Sequence, residues 1–186
     1  MGKLIFGLCL LGALAACDKA PQAAVAGVSQ TANAQQRISE NSPTDAVDKY
    51  GFPELLRRAG DGDPRAQHFV AVAYLMGTTV PKNFDEAARW ARRAANQGSS
   101  ASQFLMGLIR RDDALADNDL LALQPKITLA YMWFNLAASQ GHEKAKQERD
   151  SLEGNADPRW IARAQKLSAE WRPCASAACA DYEPTP

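Results

Sequence analysis

The sequence predicts an all-α protein, an α/α solenoid of short helical hairpins with a C-terminal capping helix. The stretch Trp90–Gly98 recurs as Trp133–Gly141 with Trp, Ala-Ala, Gln and Gly at the same spacing, and self-similarity at periods of about 20 to 50 residues is typical of helical repeats. Apolar residues within these stretches are spaced as on one helix face. The 46% apolar content includes many alanines, which let helices pack closely at little entropic cost.

Residues 1–16 are predicted to be a lipoprotein signal peptide. The apolar run that follows Lys3 is too short to span a bilayer and ends in small residues. The four residues that end at Cys17, Leu-Ala-Ala-Cys, resemble the lipobox of bacterial lipoproteins. The resemblance implies that Cys17 becomes the acylated N-terminus and that the lipid holds the mature chain on a membrane. A plain secretory signal with an incidental cysteine is the alternative.

Asp18 resembles the retention signal that keeps some lipoproteins of Gram-negative bacteria in the inner membrane. The resemblance implies a lipid-anchored protein of the cell envelope that faces the periplasm, with the inner membrane favoured. Because this rule differs between bacterial groups, the choice between inner and outer membrane stays open.

Residues 17–43 are predicted to be the acylated cysteine and a flexible tether. The segment is rich in Ala, Gln, Ser, Thr and Asn and contains no aromatic residue, so it cannot bury enough apolar surface to offset the entropy of ordering. A coil of this length spans roughly 30 Å on average. The following domain is therefore expected to stand off the membrane.

The helical domain is predicted over residues 44–172. The pattern of Gly62–Gln67 recurs in Gly98–Gln103, 36 residues later, and begins a third time at Gly141. Because the second interval is 43 residues long, seven residues are inserted in the second repeat. The insertion is expected within 112–124, as a solvated segment between two helices.

In the first hairpin, helix A is predicted over Pro64–Met76 and helix B over Phe84–Gln97. Asp63 suits a helix N-cap, Pro64 the first helical position and Gly77 the helix end. Two stripes are expected to pack together, namely Val70, Ala71 and Tyr74 on helix A, and Ala87, Trp90, Ala91, Ala94 and Ala95 on helix B.

Flanking segments are predicted to cap the stack. Phe52–Gly62 reads as a degenerate helix B of a preceding repeat, and a polar helix is expected after Gly141, ending at Leu152. Asp157 and Pro158 then begin a last helix that covers the open end of the solenoid. Its apolar stripe consists of Trp160, Ile161, Ala164, Leu167, Ser168 and Trp171.

The first hairpin as a whole resembles a Sel-one-like repeat, a relative of the tetratricopeptide repeat. The second repeat, Ser102–Gly141, keeps most of the pattern but has Arg110 at the place of Tyr74. The resemblance implies a superhelix whose concave side is lined by A helices and binds peptides or folded proteins. The residues that carry it are Ala66, Gln67, Val70, Ala71, Tyr74, Gly77, Val80 to Phe84, Ala87, Trp90 and Ala94 to Gly98.

The resemblance implies an adaptor for protein–protein interaction and not an enzyme. Together with the predicted lipid at Cys17, we expect a monomeric, membrane-anchored protein. With about two and a half repeats the groove is short, so binding is expected to be weak or to gain avidity from the membrane tether. For Val72 and Leu108, core packing is an equally good interpretation. By analogy with tetratricopeptide grooves, the positions expected to face a protein or peptide partner are Arg65, His68, Val72, Phe104, Leu108 and Arg111.

No catalytic, metal or cofactor site is predicted. The sequence lacks the serine-hydrolase, zinc-protease and phosphate-loop motifs, and the acidic residues of the insertion lack the Gly and Glu of a calcium loop. Equal numbers of basic and acidic residues, 21 each, do not favour nucleic acid. His68 and His142 are expected to be surface residues without a special role. Ordinary exposed helix faces are expected for Arg92, Arg93, Arg110 and Arg111.

Two other functions stay open. Some secreted, cysteine-rich relatives in this family have been described as β-lactam hydrolases, but those resemble chains with a cysteine pair in each repeat, and these repeats have none. A module that binds a small ligand or the cell wall would need a deep apolar pocket with converging polar groups. The sequence neither shows nor excludes such a pocket.

The C-terminal tail, residues 173–186, contains Cys174 and Cys179. A cysteine pair in an oxidising compartment favours a disulfide. Because its ring would be small, we expect a stabilisation of only about 2 kcal/mol, enough to tie down the tail. A redox or metal pair is the alternative, although Cys-x-x-Cys spacing and a nearby histidine are absent.

Overall fold

The computed structural model describes Ala46, Tyr50 and residues 51–116, 119–174 and 181–186, without the side chains of Leu120 and Leu121. All of them belong to one unit, Asn41–Pro186. The predictions for the signal peptide, the lipid site Cys17, the retention residue Asp18, the tether and Cys179 lie outside the described residues.

Between residues 51 and 174 the described chain forms seven helices and no strand, which confirms the all-α prediction. The helices are α1 Phe52–Gly60, α2 Pro64–Met76, α3 Phe84–Asn96, α4 Ser100–Ala116, α5 Leu120–Ser139, α6 Glu143–Asn155 and α7 Pro158–Glu170.

Each helix packs against its neighbour in sequence from α1 to α5, and α5 carries both α6 and α7. Helices α2 and α3 are the first A/B hairpin, α4 and α5 are the second, and α1 precedes them as a single helix B. Stepwise packing of this kind, in which each unit contacts only the next, is the architecture of an α/α solenoid. Helix α7 covers α5, as predicted for the capping helix.

The first helix A has the predicted bounds, Pro64–Met76. The Asp63 carboxylate caps it by accepting hydrogen bonds from the backbone N–H groups of Arg65 at 2.9 Å and Ala66 at 3.2 Å. Gly77 ends the helix at φ 70°, in the left-handed region where a side chain is strained. Local capping chemistry therefore sets both ends of this helix.

The repeated tryptophans occupy corresponding buried positions in α3 and α5. Trp90 is 6% exposed and Trp133 is fully buried. In the described part of the chain, neither indole Nε1 has a hydrogen-bond partner. The two rings thus act through packing, and the first hairpin's alanine stripe (Ala87, Ala91, Ala94 and Ala95) is fully buried beside Trp90.

The inserted segment departs from its prediction in form, because its described residues lengthen both helices of the second hairpin instead of lying between them, while Asp112, Asp113 and Asp119 are exposed to solvent as expected. Helix α4 runs on to Ala116, and α5 begins at Leu120 and contains Pro125. Ala114 is 1% exposed whereas Leu115 is 73% exposed, so only one face of the added turn of α4 is buried.

Two helix ends differ from prediction by a few residues. Helix α3 ends at Asn96 and not at Gln97. Helix α6 was expected to end at Leu152 but continues through Gly154 to Asn155. The Ala156 N–H donates to the Leu152 carbonyl at 2.8 Å, which satisfies one of the carbonyls that a helix end leaves unpaired.

The two hairpins differ in side-chain size at one contact between helix A and helix B. Gly107 of α4 lies against Phe134 of α5, and a Cβ atom built on Gly107 would be 2.5 Å from the Phe134 ring. At the corresponding positions, 36 and 43 residues earlier, the first hairpin has Ala71 and Ala91. All four residues are buried. The second hairpin therefore places a glycine against a large ring where the first hairpin has two alanines, so the two repeats fill this packing position differently.

Candidate partner-binding surface

A glutamine on each helix A fixes the rotation of that helix against its neighbours. Gln67 is 4% exposed. Its Nε2 donates to the Ala59 carbonyl at the end of α1 at 3.0 Å, and its Oε1 accepts from Gln97 Nε2 at 2.8 Å. A buried amide that is satisfied on both sides holds one orientation, since breaking either bond leaves an unpaired polar group.

The second hairpin repeats this relay. Gln103 is fully buried, donates to the Ala95 carbonyl at 3.3 Å and accepts from Gln140 Nε2 at 2.7 Å. Lys146 occupies the corresponding position of α6 and is exposed, so the relay ends with the second repeat. The relay fixes which faces of α2 and α4 point away from the core.

The predicted partner-facing residues lie largely at the seams between successive A helices. Arg65 is exposed, and the other five are half-buried. Phe104 and Leu108 pack against the buried cluster of Ala130, Phe134, Ala137 and Ala145, and Val72 packs against the larger core. Arg111 NH1 pairs with Glu148 of α6 at 2.6 Å. Partner binding by Arg65, His68, Val72, Phe104, Leu108 and Arg111 stays a prediction.

The expectation that both histidines are surface residues without a role is wrong. His68 Nδ1 lies 3.0 Å from the Ser102 hydroxyl of α4. His142 is the N-cap of α6, where its Nδ1 accepts from the Ala145 N–H at 3.2 Å, and its ring stacks on Phe104 with centroids 4.5 Å apart. Each histidine therefore joins one A helix to the next.

Burial, together with the positive charge of His142, lowers the pKa of His68 to about 4. Burial also lowers the pKa of His142. A neutral imidazole at His68 is consistent with its position between α2 and α4, because a charge there would lose its hydration.

We expect the free energy of unfolding to fall as the pH is lowered from about 6.5 to 4. In this window the unfolded state takes up a proton at His68 and the folded state does not, so stability rises with pH, and the loss levels off below the folded pKa of about 4. The loss is on the order of 3 kcal/mol. Urea unfolding at a series of pH values measures it.

The control is His68→Gln, which keeps a hydrogen-bonding group near Ser102 but does not titrate. Carboxylates contribute equally to both proteins, so the difference between the two pH profiles isolates His68. Parallel profiles from pH 4 to 6.5 would contradict the prediction.

The structure also shows a binding surface that the sequence analysis missed, formed by Arg92 and Arg93 of α3 and Arg110 of α4. We name these three residues the arginine cleft. The Arg93 guanidinium donates two hydrogen bonds to the Asp181 carboxylate, from Nε to Oδ1 at 2.9 Å and from NH2 to Oδ2 at 3.0 Å. Arg92 NH2 lies 3.1 Å from Glu183 Oε2, and Arg110 Nε donates to Glu183 Oε1 at 2.6 Å. The cleft therefore holds the C-terminal residues of the chain.

The prediction of ordinary exposed faces for these arginines is wrong, because their side chains are only 17–25% exposed. Arg111, the fourth arginine of that prediction, is 26% exposed and is also ion-paired. The hydrogen bonds from Arg93 lower the pKa of Asp181, and so do the positive charges of Arg93 and Arg92. The carboxylate thus stays ionised in its bound position.

Main-chain contacts hold the same tail. The Cys174 N–H donates to the Asn96 carbonyl at 2.7 Å, and Asn96 Nδ2 donates to the Tyr182 carbonyl at 2.8 Å. Pro184 is buried. Cys174 takes part in a disulfide, while its pairing with Cys179 stays a prediction because Cys179 lies outside the described residues.

An open pocket of about 340 Å³ lies beside the cleft, where the last residues of the tail meet the N-terminal half of α5. Arg110, Lys126 and Glu183 line it together with apolar atoms of Pro125, Leu129, Pro184, Thr185 and Pro186. The pocket is shallow and exposed to solvent, unlike the deep cavities that enclose small ligands.

One sequence signal points to the cleft in retrospect. Arg110 replaces an aromatic position of the repeat, since its counterpart Tyr74 packs edge-on against Phe52 with centroids 5.7 Å apart. Arg92 and Arg93 correspond to Asn135 and Leu136 of the second hairpin. Three arginines that the repeat does not require, together with two acidic residues near the C-terminus, indicate a tertiary contact.

Within the described residues, no three His, Cys, Asp or Glu side chains are placed to hold a metal ion. In the same part of the chain, none of the helices combines the length and the apolar character needed to span a bilayer.

Comparison with known proteins identifies the repeat. Residues 64–99 and 100–142 each match the Sel1 repeat family. A protective antigen present in uropathogenic Escherichia coli strains, whose crystal structure displays an SLR fold, is similar with a TM-score of 0.58 over 86% of this chain and 22% sequence identity. The chain covers 33% of that antigen's length, so the likeness concerns the fold. No curated protein matches.

Proposed function

Since residues 64–99 and 100–142 match the Sel1 repeat in tandem, we propose that the chain acts as a membrane-anchored adaptor that binds a protein partner through its helical stack and catalyses no reaction. Sel1 repeats are generally scaffolds for protein–protein interaction. The proposal adds the anchor, the extracytoplasmic location and the surface used.

The observation that supports the surface is the buried glutamine relay. Gln67 and Gln103 hold α2 and α4 in one rotation each, so the outward positions of both helices form a preorganised row. Preorganisation lowers the entropic cost of binding. The row begins with the exposed Arg65 and ends at Arg111, so positive charge at both ends would attract a partner with acidic groups, although Arg111 is also paired with Glu148 of α6.

Lipid attachment at Cys17 and a tether over residues 17–43 would keep this surface close to the membrane, as a monomer on the periplasmic side. A tethered module meets nearby partners at a raised effective concentration, so a short groove of modest affinity is sufficient. Metabolic labelling with an alkyne fatty acid tests the anchor. The native chain should be labelled and Cys17→Ser should not, and equal labelling of both would refute the anchor.

Affinity capture from native membranes tests the surface. Arg65→Glu and Arg111→Glu should each reduce partner recovery at least about tenfold, because charge reversal places repulsion inside the contact. The matched control is Lys166→Glu on α7, whose side chain is 63% exposed and lies outside the row. Circular dichroism excludes misfolding, and unchanged recovery with both variants would remove the assignment.

No observation favours the hydrolase alternative. The repeats contain no cysteine, and the pocket beside the arginine cleft is shallow. Turnover of a chromogenic β-lactam above that of a denatured control would nevertheless overturn the non-catalytic part of the proposal.

A further inference from the structure

We propose that the arginine cleft is a binding site for an acidic, proline-containing peptide of a protein partner, and that the chain's own residues Asp181–Pro186 occupy it as an intramolecular competitor. The inference rests on the proposed adaptor function and names the chemistry of a partner segment.

The first argument is the match between charge and geometry. Arg93 binds Asp181 through two parallel N–H···O bonds, while Arg92 and Arg110 converge on the two oxygens of Glu183. Guanidinium groups recognise carboxylates in this forked manner, which gives direction as well as attraction. The spacing requires acidic side chains at two positions separated by one residue.

The second argument is that the residues at the cleft contact the main chain and a proline of the tail as well as its charged side chains. Asn96 Nδ2 donates to the Tyr182 carbonyl, so the intervening residue is held by its backbone. The Tyr182 side chain is 56% exposed and contributes little selectivity. Pro184 is buried next to the pocket formed with Pro125 and Leu129. The motif that fits is acidic, any residue, acidic, proline.

The third argument is that the tail can be displaced. Within the described chain, the buried Arg92 Nε lacks a hydrogen-bond partner, so the tail does not use every donor of the cleft. Asp181 is 56% exposed in its ion pair, and exposed pairs contribute little to stability. A partner peptide with one more acceptor would satisfy the cleft better than the tail does.

The repeat pattern does not require arginine at these three positions, although the Arg93 guanidinium also lies 5.0 Å from the Trp90 ring. Their counterparts in the other hairpin are Tyr74, Asn135 and Leu136, and Tyr74 is used in an aromatic contact. A cluster of three guanidinium groups that the repeat does not require, facing one acidic segment, is explained by recognition of that segment.

The test uses the full-length protein and a tail-release variant, Asp181→Asn with Glu183→Gln, which keeps chain length. The probe is a fluorescent peptide, Asp-Tyr-Glu-Pro-Thr-Pro, with a free carboxyl terminus, measured by anisotropy. We expect the variant to bind it at least about tenfold more tightly than the native chain, because the native tail competes at an effective concentration of roughly millimolar. Binding should weaken with added salt.

Three controls accompany the test. Asp150→Asn with Glu170→Gln removes the same charge away from the cleft and should bind the peptide as the native chain does. Adding Arg93→Gln and Arg110→Gln to the tail-release variant should abolish binding. A peptide with Asn and Gln in place of its acidic residues should not bind.

Equal peptide affinity in the native chain and the tail-release variant would overturn the competitor. Absence of binding to a variant with native circular dichroism would overturn the site. A native chain that sediments as a dimer, and becomes a monomer in the tail-release variant, would show tail exchange between two copies and refute the intramolecular arrangement.

If membrane capture depends on Arg65 and the peptide does not bind, the inference fails while the adaptor function stands. If the peptide binds and capture is insensitive to Arg65, the row on α2 and α4 fails while the cleft stands.

Discussion

Replacing Trp133 with alanine is expected to lower the free energy of unfolding by about 4 kcal/mol. The indole is fully buried in α5 and packs edge-on against Trp171, with centroids 6.4 Å apart. Its Nε1 has no hydrogen-bond partner among the described residues, so the whole loss comes from removed contacts and the remaining cavity. Urea unfolding followed by circular dichroism measures the change.

The repeat predicts a similar loss for Trp90→Ala, slightly smaller because Trp90 is 6% exposed and its ring is also approached by the Arg93 guanidinium at 5.0 Å. Trp160→Ala is the control. That ring lies half-buried in the first turn of α7, and its removal should cost less than half as much. A loss under about 1 kcal/mol for either repeated tryptophan would contradict its place in the core.

Substituting Gly107 with alanine is expected to destabilise the protein by about 2 kcal/mol, although alanine favours helices by about 1 kcal/mol over glycine. The new methyl group would lie 2.5 Å from two atoms of the Phe134 ring. Because Phe134 is fully buried, the ring cannot move without disturbing its neighbours, and overpacking costs about 1 to 3 kcal/mol or more. The steric term therefore exceeds the propensity term.

A double-mutant cycle separates these terms. Phe134→Ala alone should cost about 3 to 5 kcal/mol through its cavity, whereas Gly107→Ala combined with Phe134→Ala should cost at least about 1 kcal/mol less than the sum of the single changes. The double variant restores the alanine pair that the first hairpin has at Ala71 and Ala91. Additive losses would contradict the coupling.

Gly154→Ala is the matched control for helix propensity. Gly154 lies in α6 with no atom within 4 Å of a Cβ built on it, so alanine should stabilise the protein by up to about 1 kcal/mol. If Gly→Ala changes the free energy of unfolding in opposite directions at these two helical positions, the environment of the glycine, and not the residue type, decides the outcome.

The arginine cleft changes how this short solenoid is understood. Two repeats offer little surface, yet the chain places its own acidic C-terminal residues on the side formed by α3 and α4. The proposed adaptor then has two candidate surfaces, the row from Arg65 to Arg111 and the arginine cleft. The peptide and capture experiments address them separately, because no residue belongs to both.

The sequence by itself determined the helical class, the hairpin order, the bounds of α2 and the burial of both repeated tryptophans. These features depend on local rules, since a cap such as Asp63 acts within three residues and an apolar stripe needs only the helical period. The predicted partner row followed from the resemblance to tetratricopeptide grooves. Sequence reasoning placed its residues on helix A but could not show that Phe104 and Arg111 already contact α6.

Only the tertiary structure decided which distant groups meet. Arg93 and Asp181 are separated by 88 positions in the chain. Without the fold, charged residues that lie so far apart are interpreted as solvent-exposed, because the sequence does not show which of them form ion pairs. The pairing of Gly107 with Phe134 and the helical form of the insertion were hidden for the same reason. Periodicity shows which face of a helix is apolar, whereas the neighbour that fills the space beside that face is set by the packing of the whole stack.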